Sequence, residues 1–304
     1  DKVKDVNMNY RIEADRVGQK PYFMKYNHYL PNKLKGNSVV VLVCGGGHLM
    51  KVWEKTPDGR RGWAPLLAEK GREVITVEWA CNSPNIYKCS TKKLCQLTQK
   101  ENMDLIKKVI DREVPNDRKV IFLGWSMGGP QVFKLACDII PQRVAAILGY
   151  GATGPLNYFT PPPEHTQKPV DFNKPSEISP EAVLRVTDSP LFPKKHIKKY
   201  ASEYLVPFSP LMAAIQAKRA AVKKYWPLLT IKNSKRMPPV LLVNGNRDQS
   251  HNPNREKVLI NWLKKHQKDI SVKYIKDFSH SGMLCRSNYK IVDIYLNWLK
   301  QRKL

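Results

Sequence analysis

The stretch Lys119-Val-Ile-Phe-Leu-Gly-Trp-Ser-Met-Gly-Gly129 decides the fold, because it joins an apolar run to a helix-compatible segment through a Gly-x-Ser-x-Gly turn. In this context the serine, Ser126, lies on a tight strand-to-helix turn with a strained backbone, and its hydroxyl projects at the start of the helix. Gly124 and Gly128 leave room for the turn to approach neighbouring backbone. The motif therefore predicts that Ser126 is a nucleophile.

On both sides of this motif, apolar β-branched runs alternate with segments of helical period, which predicts a mostly parallel sheet with helices on both faces. An extended, aromatic-rich region around 22–29 precedes this pattern. The predicted strands are Val39–Cys44, Glu73–Trp79, Lys119–Leu123, Val144–Leu148, Val240–Val243 and Ser271–Ile275. The predicted helices are Trp63–Lys70, Asn102–Glu113, Met127–Ile140, Asn254–Lys265 and Tyr289–Gln301.

One interval between Gly151 and Pro239 interrupts the alternation, since it is rich in proline and then carries a helix-like stretch from Ser209 to Tyr225. Inserted there, it would lie at the carboxyl ends of the strands, where open α/β sheets bind ligands. We therefore predict a core of residues 1–151 and 239–304 and an inserted lid at 152–238. A purely decorative excursion is the alternative, but the interval has apolar side chains enough to line a pocket, among them Phe159, Tyr204, Phe208, Leu211, Met212 and Trp226.

A serine hydroxyl is a weak nucleophile until a neighbouring imidazole accepts its proton, so the histidines are the next candidates. His280 is the best placed, because it follows the last predicted strand and precedes the C-terminal helix. This position gives the chain order serine, acid, histidine. His48 and His251 are possible pocket residues, and we expect solvated or lid positions for His28, His165, His196 and His266.

The acid that orients the imidazole is predicted to be Asp248, which lies in a turn just beyond the strand that starts at Val240. Two other roles remain open for this carboxylate: an ion pair with the adjacent Arg247, or a cap for the following helix. Glu78, near the end of another strand, is the reserve candidate.

The first strong strand runs into Gly45-Gly46-Gly47-His48, a glycine run whose backbone amides can face a substrate oxygen without obstruction. We predict an oxyanion hole formed by the amide of Met127 and by that of Gly46, with Gly47 as the second choice. A phosphate-binding loop is the alternative for the glycine run, but neither a Gly-x-Gly-x-x-Gly nor a Gly-Lys-Ser/Thr pattern follows. The predicted substrate pocket contains His48, Trp125 and Tyr150.

The charge of the chain is unusual, with 52 Lys plus Arg against 26 Asp plus Glu among 304 residues and a net charge of +26. Such a charge attracts polyanions at low salt, so non-specific polyanion binding is one expectation. The lysines are spread along the chain and no nucleic-acid module is present, which favours a solvated lysine-rich surface. No stretch reaches the roughly 18 to 20 apolar residues of a membrane span.

The six cysteines lack the paired CxxC spacing of structural zinc sites, so no metal is predicted. Cys44 and Cys137 lie in apolar elements and are expected to be buried thiols. Cys81, Cys89 and Cys95 share one polar loop and could form a disulfide. A disulfide, together with a start at residue 1 without methionine, slightly favours a secreted or periplasmic location over the cytoplasm.

From Val39 onward the sequence resembles the α/β-hydrolase superfamily, and within it a group of microbial carboxylesterases. Four segments carry the resemblance: Gly45-Gly46-Gly47 with Val52–Arg60 and Gly62-Trp63, the Ser126 motif, Ser279–Leu284, and the C-terminal helix with Ile291-Val292-Asp293 and Trp298. The Thr56-Pro-Asp-Gly-Arg60 segment is the most selective of these. The resemblance implies an α/β-hydrolase fold and a cofactor-free esterase that is acylated at Ser126 and deacylated by water that His280 activates.

The sequence departs from that group in one respect. There the acid is often a glutamate just beyond the strand after the nucleophile helix, whereas this chain has Leu148-Gly149-Tyr150-Gly151. Either the acid has moved to Asp248, the commoner superfamily position, or the triad is incomplete.

The leading hypothesis is a serine hydrolase that cleaves carboxylic esters of small molecules through an acyl-enzyme. Epoxide hydrolases and haloalkane dehalogenases of this fold carry aspartate at the elbow, which argues against those reactions. Amidase, lactonase, acyltransferase and lyase chemistry at the same site stay open. The contrasting hypothesis is an impaired hydrolase scaffold that binds an anionic partner. The oligomeric state is not predicted.

Overall fold

The computed structural model describes residues 3–6, 9–82, 89–250 and 252–304. These residues contain one nine-stranded sheet whose order is β1-β2-β3-β5-β4-β6-β7-β8-β9. Its strands are β1 (Val3–Val6), β2 (Tyr10–Gln19), β3 (Tyr22–Pro31), β4 (Ser38–Val43), β5 (Glu73–Val77), β6 (Lys119–Trp125), β7 (Val144–Tyr150), β8 (Val240–Gly245) and β9 (Ile270–Ile275).

The sheet is antiparallel only at its N-terminal side, where β1, β2, β3 and β5 pair in that order. From β5 through β4, β6, β7 and β8 to β9 all pairs are parallel, as the sequence predicted. Strands β4 and β5 are buried along their whole length, which explains their continuous runs of β-branched and apolar residues.

The register of the parallel strands determines where the site can form. Val43 pairs with Gly124, Trp125 pairs with Tyr150, and Tyr150 pairs with Val243. The residues that follow β4, β6, β7 and β8 therefore meet at one edge of the sheet, the edge where open α/β sheets bind their ligands.

Ten α-helices are present in the described residues, and the longer ones lie where the sequence predicted them. They are α1 (Lys51–Glu54), α2 (Trp63–Glu69), α3 (Thr91–Gln96), α4 (Gln99–Glu113), α5 (Gly128–Lys134), α6 (Pro180–Val186), α7 (Ile197–Glu203), α8 (Pro210–Gln216), α9 (Pro253–His266) and α10 (Tyr289–Gln301). Short 3₁₀ segments lie at Pro141–Arg143, Leu156–Tyr158, Glu164–Thr166, Lys194–His196, Ala220–Leu229, Ser234–Arg236 and Gly282–Leu284.

Two predicted helices differ from the structure. The segment predicted as one helix from Met127 to Ile140 is α5 followed by a π-helical turn, Leu135–Ile139, where the amide of Ile140 bonds to the carbonyl of Leu135. The helix-like stretch from Ser209 is α8 and then a separate 3₁₀ segment, because Lys218 adopts a positive φ of 52° between them.

The interval 152–238 leaves the sheet after β7 and returns to it at β8, the neighbouring strand. It contains α6, α7 and α8 and five of the 3₁₀ segments. Five of its side chains form a small apolar cluster of their own: Leu156, Ala214, Ile215, Val222 and Leu229. Other side chains of the interval, such as Phe192 and Tyr200, join the main core.

The predictions of a disulfide among Cys81, Cys89 and Cys95 and of buried thiols at Cys44 and Cys137 are confirmed. Cys81 and Cys89 form a disulfide, and Cys95 is a free, buried thiol. Cys44 and Cys137 are also buried and free. Among the described residues, none of the helices combines the length with the apolar composition that a membrane span requires.

Candidate active site

Ser126 follows the last residue of β6 and precedes α5, so it occupies the turn that the motif predicted. Its φ of 51° lies in the left-handed region, a conformation that costs a non-glycine residue about 1 to 3 kcal/mol. The backbone holds this strain, since the carbonyl of Ser126 accepts bonds from the amide of Gly129 (3.0 Å) and from the amide and hydroxyl of Thr153 (3.2 and 3.1 Å). The side chain is partly exposed.

Gly128 shows why the motif needs its last glycine. A Cβ atom at this position would lie 2.6 Å from the carbonyl oxygens of both Val43 and Cys44. The start of α5 thus packs directly on the end of β4. This contact brings the elbow at Ser126 beside the glycine run that follows β4.

His280 and Asp248 form a buried pair. The Nδ1 atom of His280 lies 2.7 Å from Oδ2 of Asp248, and the two side chains are only 7% and 1% exposed. Because a carboxylate is an acceptor only, Nδ1 carries the proton and the lone pair of the neutral ring is on Nε2. This tautomer is the one that accepts a proton from a serine hydroxyl.

The structure separates Asp248 from the other roles considered for it. Arg247 pairs with Asp188 at 3.4 Å, and Asn252 rather than Asp248 caps α9. The second oxygen of Asp248 accepts the amide of Ser250 at 2.8 Å. The reserve candidate, Glu78, is buried and accepts the amide of Met50 at 2.8 Å.

Gly151 lies beside the Asp248–His280 pair and directly follows the backbone partner of Ser126. The amide of Ser126 donates to the carbonyl of Tyr150, and a Cβ on the next residue, Gly151, would lie 2.9 Å from both Oδ2 of Asp248 and Nδ1 of His280. Its φ is +48°. The position that lacks the glutamate of the similar esterases is therefore the position against which the Asp248–His280 pair packs.

Trp125 and Tyr150 have a place other than the predicted one. Both side chains are fully buried, so they have no surface with which to line an open pocket. The indole of Trp125 donates to the carbonyl of His280 at 2.9 Å, and the hydroxyl of Tyr150 donates to the carbonyl of Ser279 at 2.6 Å. These two side chains instead hold the His280 loop by hydrogen bonds to its backbone carbonyls.

The role of the Thr56-Pro-Asp-Gly-Arg60 segment is not evident from the sequence. The guanidinium of Arg60 pairs with Asp58 at 2.8 Å and donates to the carbonyls of Leu284 and Cys285, each at 2.9 Å. Burial raises the pKa of Asp58, but its bonds to Arg60 and Thr56 outweigh burial and lower it. The segment thus fastens the chain just beyond His280, and only its selectivity in the sequence pointed to it.

The glycine run after β4 lies against the elbow. A Cβ on Gly45 would be 3.1 Å from Cβ of Ser126, and one on Gly46 would be 2.5 Å from the sulfur of Met127. Gly47, with φ +70°, faces Ile178 and Phe208 of the 152–238 interval. The predicted oxyanion residues are therefore neighbours in space.

His48 is buried behind this run, with 4% exposure. Burial, opposed by a bond to the Gly46 carbonyl, lowers its pKa to about 3, so the ring is neutral. His251, the other predicted pocket histidine, lies outside the described residues. His28 is not solvated as expected, because it is buried between Glu73 and Glu113.

The comparisons with known proteins agree with this fold. The model of the family described as "alpha/beta hydrolase fold" matches residues 38–282. The chain belongs to the α/β-hydrolase family. Its serine elbow, at the end of a parallel strand, is where this family carries its nucleophile.

Solved structures of the family superimpose on nearly the whole chain. A soluble variant of monoglyceride lipase from Saccharomyces cerevisiae has a TM-score of 0.67 at 14% identity, over 96% of this chain and 97% of that one. A peroxisomal α/β-hydrolase from the same yeast has 0.61 at 15% identity, over 98% and 90%. An epoxide hydrolase from Vigna radiata has 0.61 at 13% identity, over 95% and 98%. At these identities the likeness shows the fold alone, and no curated protein matches the sequence significantly.

Proposed function

We propose that this α/β-hydrolase is a serine hydrolase that cleaves carboxylic esters through an acyl-enzyme. The observation that carries the proposal is the buried His280–Asp248 pair, 2.7 Å long, which packs on Gly151 at the same sheet edge as the strained Ser126 elbow. A nucleophile, a base with the correct tautomer and a carboxylate that orients it are the three parts that acyl transfer needs.

In the first half of the proposed reaction, the hydroxyl oxygen of Ser126 attacks the ester carbonyl and its proton passes to Nε2 of His280. The negative oxygen of the tetrahedral intermediate accepts bonds from the amides of Met127 and Gly46, or of Gly47 beside it. When the intermediate collapses, the carbon–oxygen bond to the alcohol breaks and His280 protonates the leaving oxygen. The acyl group stays on Ser126.

In the second half, water takes the place of the alcohol. His280 removes a proton from the water, whose oxygen attacks the acyl carbonyl, and the bond to Ser126 then breaks. The proton returns from His280 to the serine oxygen, and the carboxylic acid leaves. Asp248 stabilises the imidazolium in both halves without itself becoming protonated.

We further propose that the interval 152–238 acts as a lid that binds the apolar part of the ester. A cavity of about 450 Å³ lies within it, lined mostly by apolar side chains of α6, α7 and the segments that flank them. Ile178 lines this cavity and also faces Gly47 of the predicted oxyanion run, a shared contact that supports a link between the cavity and the proposed site. Pockets of this size and polarity are typical of small-molecule sites.

The test of the ester hydrolase is a comparison of the wild type with Ser126→Ala and Asp248→Asn on 4-nitrophenyl acetate and butyrate. We expect the wild type to turn over, Ser126→Ala to abolish turnover, and Asp248→Asn to lower kcat by about 10⁴-fold, because asparagine stabilises the wrong tautomer of the base. Asp188→Asn is the matched control, since within the described residues the Asp188 carboxylate pairs with the surface side chains Arg247 and Gln249.

Two results would refute the proposal: a folded wild type without turnover, or equal rates for Asp248→Asn and Asp188→Asn. Reaction in ¹⁸O-water separates hydrolysis from the other reactions of the same site. One labelled oxygen in the carboxylic acid product indicates hydrolysis, whereas lyase or acyltransferase chemistry incorporates none.

A further inference from the structure

His48 makes two specific contacts in its buried position. Its Nδ1 atom lies 2.9 Å from the carbonyl oxygen of Gly46, and its Nε2 atom lies 2.6 Å from the hydroxyl of Tyr200, on α7. The ring packs edge-on against Trp125, with centroids 4.4 Å apart. Tyr200 is fully buried, so both contacts are shielded from water.

The direction of both hydrogen bonds follows from the chemistry of the partners. The carbonyl of Gly46 can only accept, so Nδ1 of His48 carries the proton and donates. The neutral ring then has a lone pair at Nε2, which accepts the proton of the Tyr200 hydroxyl. Tyr200 therefore donates to His48, and His48 donates to Gly46.

A second contact acts on the next carbonyl of the same run. The amide of Val206, just beyond α7, donates to the carbonyl of Gly47 at 2.9 Å. The amide of Leu49 donates back to the carbonyl of Tyr204 at 2.9 Å. The carbonyls of Gly46 and Gly47 are thus both bound to donors of the protein. Neither peptide can rotate to present its oxygen to Ser126 without losing such a bond.

We propose that Tyr200 and His48 are positioning residues that hold the Gly46 carbonyl turned away from the site, so that the amide of Gly47, which belongs to the same planar peptide group and points the opposite way, is available to the oxyanion. The inference rests on the ester hydrolase proposed above and adds a role for α7. An amide that is already oriented costs no reorganisation when charge develops, which is the main source of oxyanion stabilisation. A carbonyl turned inward would repel the same charge.

Tyr200→Phe tests this inference, and Tyr204→Phe is its matched control. Tyr204 was among the side chains predicted to line a pocket, but it is fully buried and does not line the 450 Å³ cavity. Its hydroxyl donates to the carbonyl of Lys55 at 2.6 Å rather than to His48. Loss of a whole oxyanion donor costs about 10²- to 10³-fold in kcat, so a donor that is only less well held costs about tenfold.

We expect Tyr200→Phe to lower kcat for 4-nitrophenyl acetate about tenfold with KM within about twofold, and to weaken inhibition by phenylboronic acid about tenfold. Phenylboronic acid forms a tetrahedral adduct and so reports on the oxyanion site, whereas KM reports on ground-state binding. Tyr204→Phe is expected to stay within about twofold of the wild type in kcat, in KM and in inhibition by phenylboronic acid. Thermal unfolding of both variants measures any shared loss of packing.

A substitution at His48 gives an independent readout. Asparagine places an amide nitrogen where His48 has Nδ1, so His48→Asn keeps a donor for the Gly46 carbonyl, and His48→Leu removes it. We expect His48→Asn to retain most of kcat and His48→Leu to lose it. Equal kcat in the two His48 variants, or equal kcat and boronic acid affinity in the two tyrosine variants, overturns the inference. An inactive wild type instead overturns the proposed function.

Discussion

At the scale of the residue, Gly151 explains how the acid of this site differs from that of the esterases the sequence resembles. Its φ of +48° and its lack of a side chain let Asp248 and His280 pack against its backbone. A glutamate there would need the space that the Asp248–His280 pair occupies. The two positions for the acid are thus alternatives that exclude each other, and the proposed triad places the acid after β8.

Gly151→Ala should therefore affect activity and stability through two separate causes. The added Cβ would lie 2.9 Å from both Oδ2 of Asp248 and Nδ1 of His280, so both side chains must move away from it. We expect kcat to fall at least a hundredfold, because small displacements of catalytic groups cost about this much. Stability should fall by about 1 to 2 kcal/mol from the positive φ alone. Steady-state kinetics and urea unfolding measure the two effects.

Gly59→Ala is the control, because it strains a backbone with positive φ as Gly151→Ala does but brings no steric clash. Gly59 has a φ of +91°, and the nearest atom to its Cβ would be 3.9 Å away. The Gly59→Ala variant should lose stability and keep its activity. Equal kcat in the two variants would show that Gly151 does not position the pair.

At the scale of the element, the sequence predicted the parallel strands well and the supports of the site poorly. Strands β4 to β9 were visible because each is a short apolar run between polar turns. The contacts that hold the His280 loop could not be seen in the sequence, because they join residues far apart in the chain. Arg60 reaches the carbonyls of Leu284 and Cys285 across more than 220 residues, and α7 reaches His48 across 152.

The predicted site residues show the same limit. Ser126, His280 and Asp248 each follow or lie near a strand end, so chain order and strand position were enough to propose them, and their catalytic roles stay predictions. Trp125 and Tyr150 were predicted to line the pocket, but their burial depends on the packing of the whole sheet edge, which the sequence pattern does not contain.

The proposed lid makes a prediction about chain length. Ala201, on α7, lines the 450 Å³ cavity, and Ala201→Trp should fill part of it. We expect this variant to lower kcat/KM for an octanoate ester about tenfold. The tryptophan takes the space of two methylene groups of the acyl chain, and burial of each contributes about 0.8 kcal/mol to binding. The value for the acetate ester should stay within about twofold. A series of 4-nitrophenyl esters from acetate to decanoate measures this.

Ser202→Trp adds the same bulk to the neighbouring exposed position on α7, which does not line the cavity. Its chain-length profile should match the wild type. A profile that is the same for both tryptophan variants would place the apolar group of the ester elsewhere.

At the scale of the whole molecule, the edge of the sheet opposite the site holds a charged cluster. His28, on β3, lies 2.7 Å from Glu73, the first residue of β5, and 3.2 Å from Glu113, at the end of α4. Arg118 also pairs with Glu73, and the hydroxyl of Tyr26 donates to Glu113. The cluster ties three elements together far from Ser126, so it contributes to stability rather than to chemistry.

This cluster predicts how stability varies with pH. Burial lowers the pKa of His28, but its bonds to Glu113 and Glu73 outweigh burial and raise it above 6.5. A raised pKa gives stability that is fully present below about 6.5 and lost as the pH rises through the folded value. For Glu113, the bond to His28 lowers the pKa to about 2, and for Glu73 the bonds to His28 and Arg118 overcome burial and lower it.

The stability that these two carboxylates contribute is present above about 4.5 and lost as the pH falls through their folded pKa values. The cluster as a whole should therefore stabilise most between about pH 4.5 and 6.5. Urea unfolding of wild type and His28→Gln from pH 4 to 9 measures this. The difference between the two should be largest near pH 6 and shrink towards pH 9, and a constant difference would contradict the assignment.

The net charge of +26 is the other property of the whole molecule. Binding of polyanions at low salt stays a prediction, and it does not distinguish an esterase from a binding protein, because a basic esterase would bind them equally. Only reactivity of the serine separates the two hypotheses.

The most direct measurement is therefore covalent labelling of the folded protein with a fluorophosphonate, followed by mass spectrometry of its peptides. We expect one label per chain, on Ser126, with no label in Ser126→Ala and much slower labelling in Asp248→Asn, since only a serine beside an oriented base reacts. A folded wild type that takes no label, or takes it on another residue, would show that Ser126 is not an activated nucleophile.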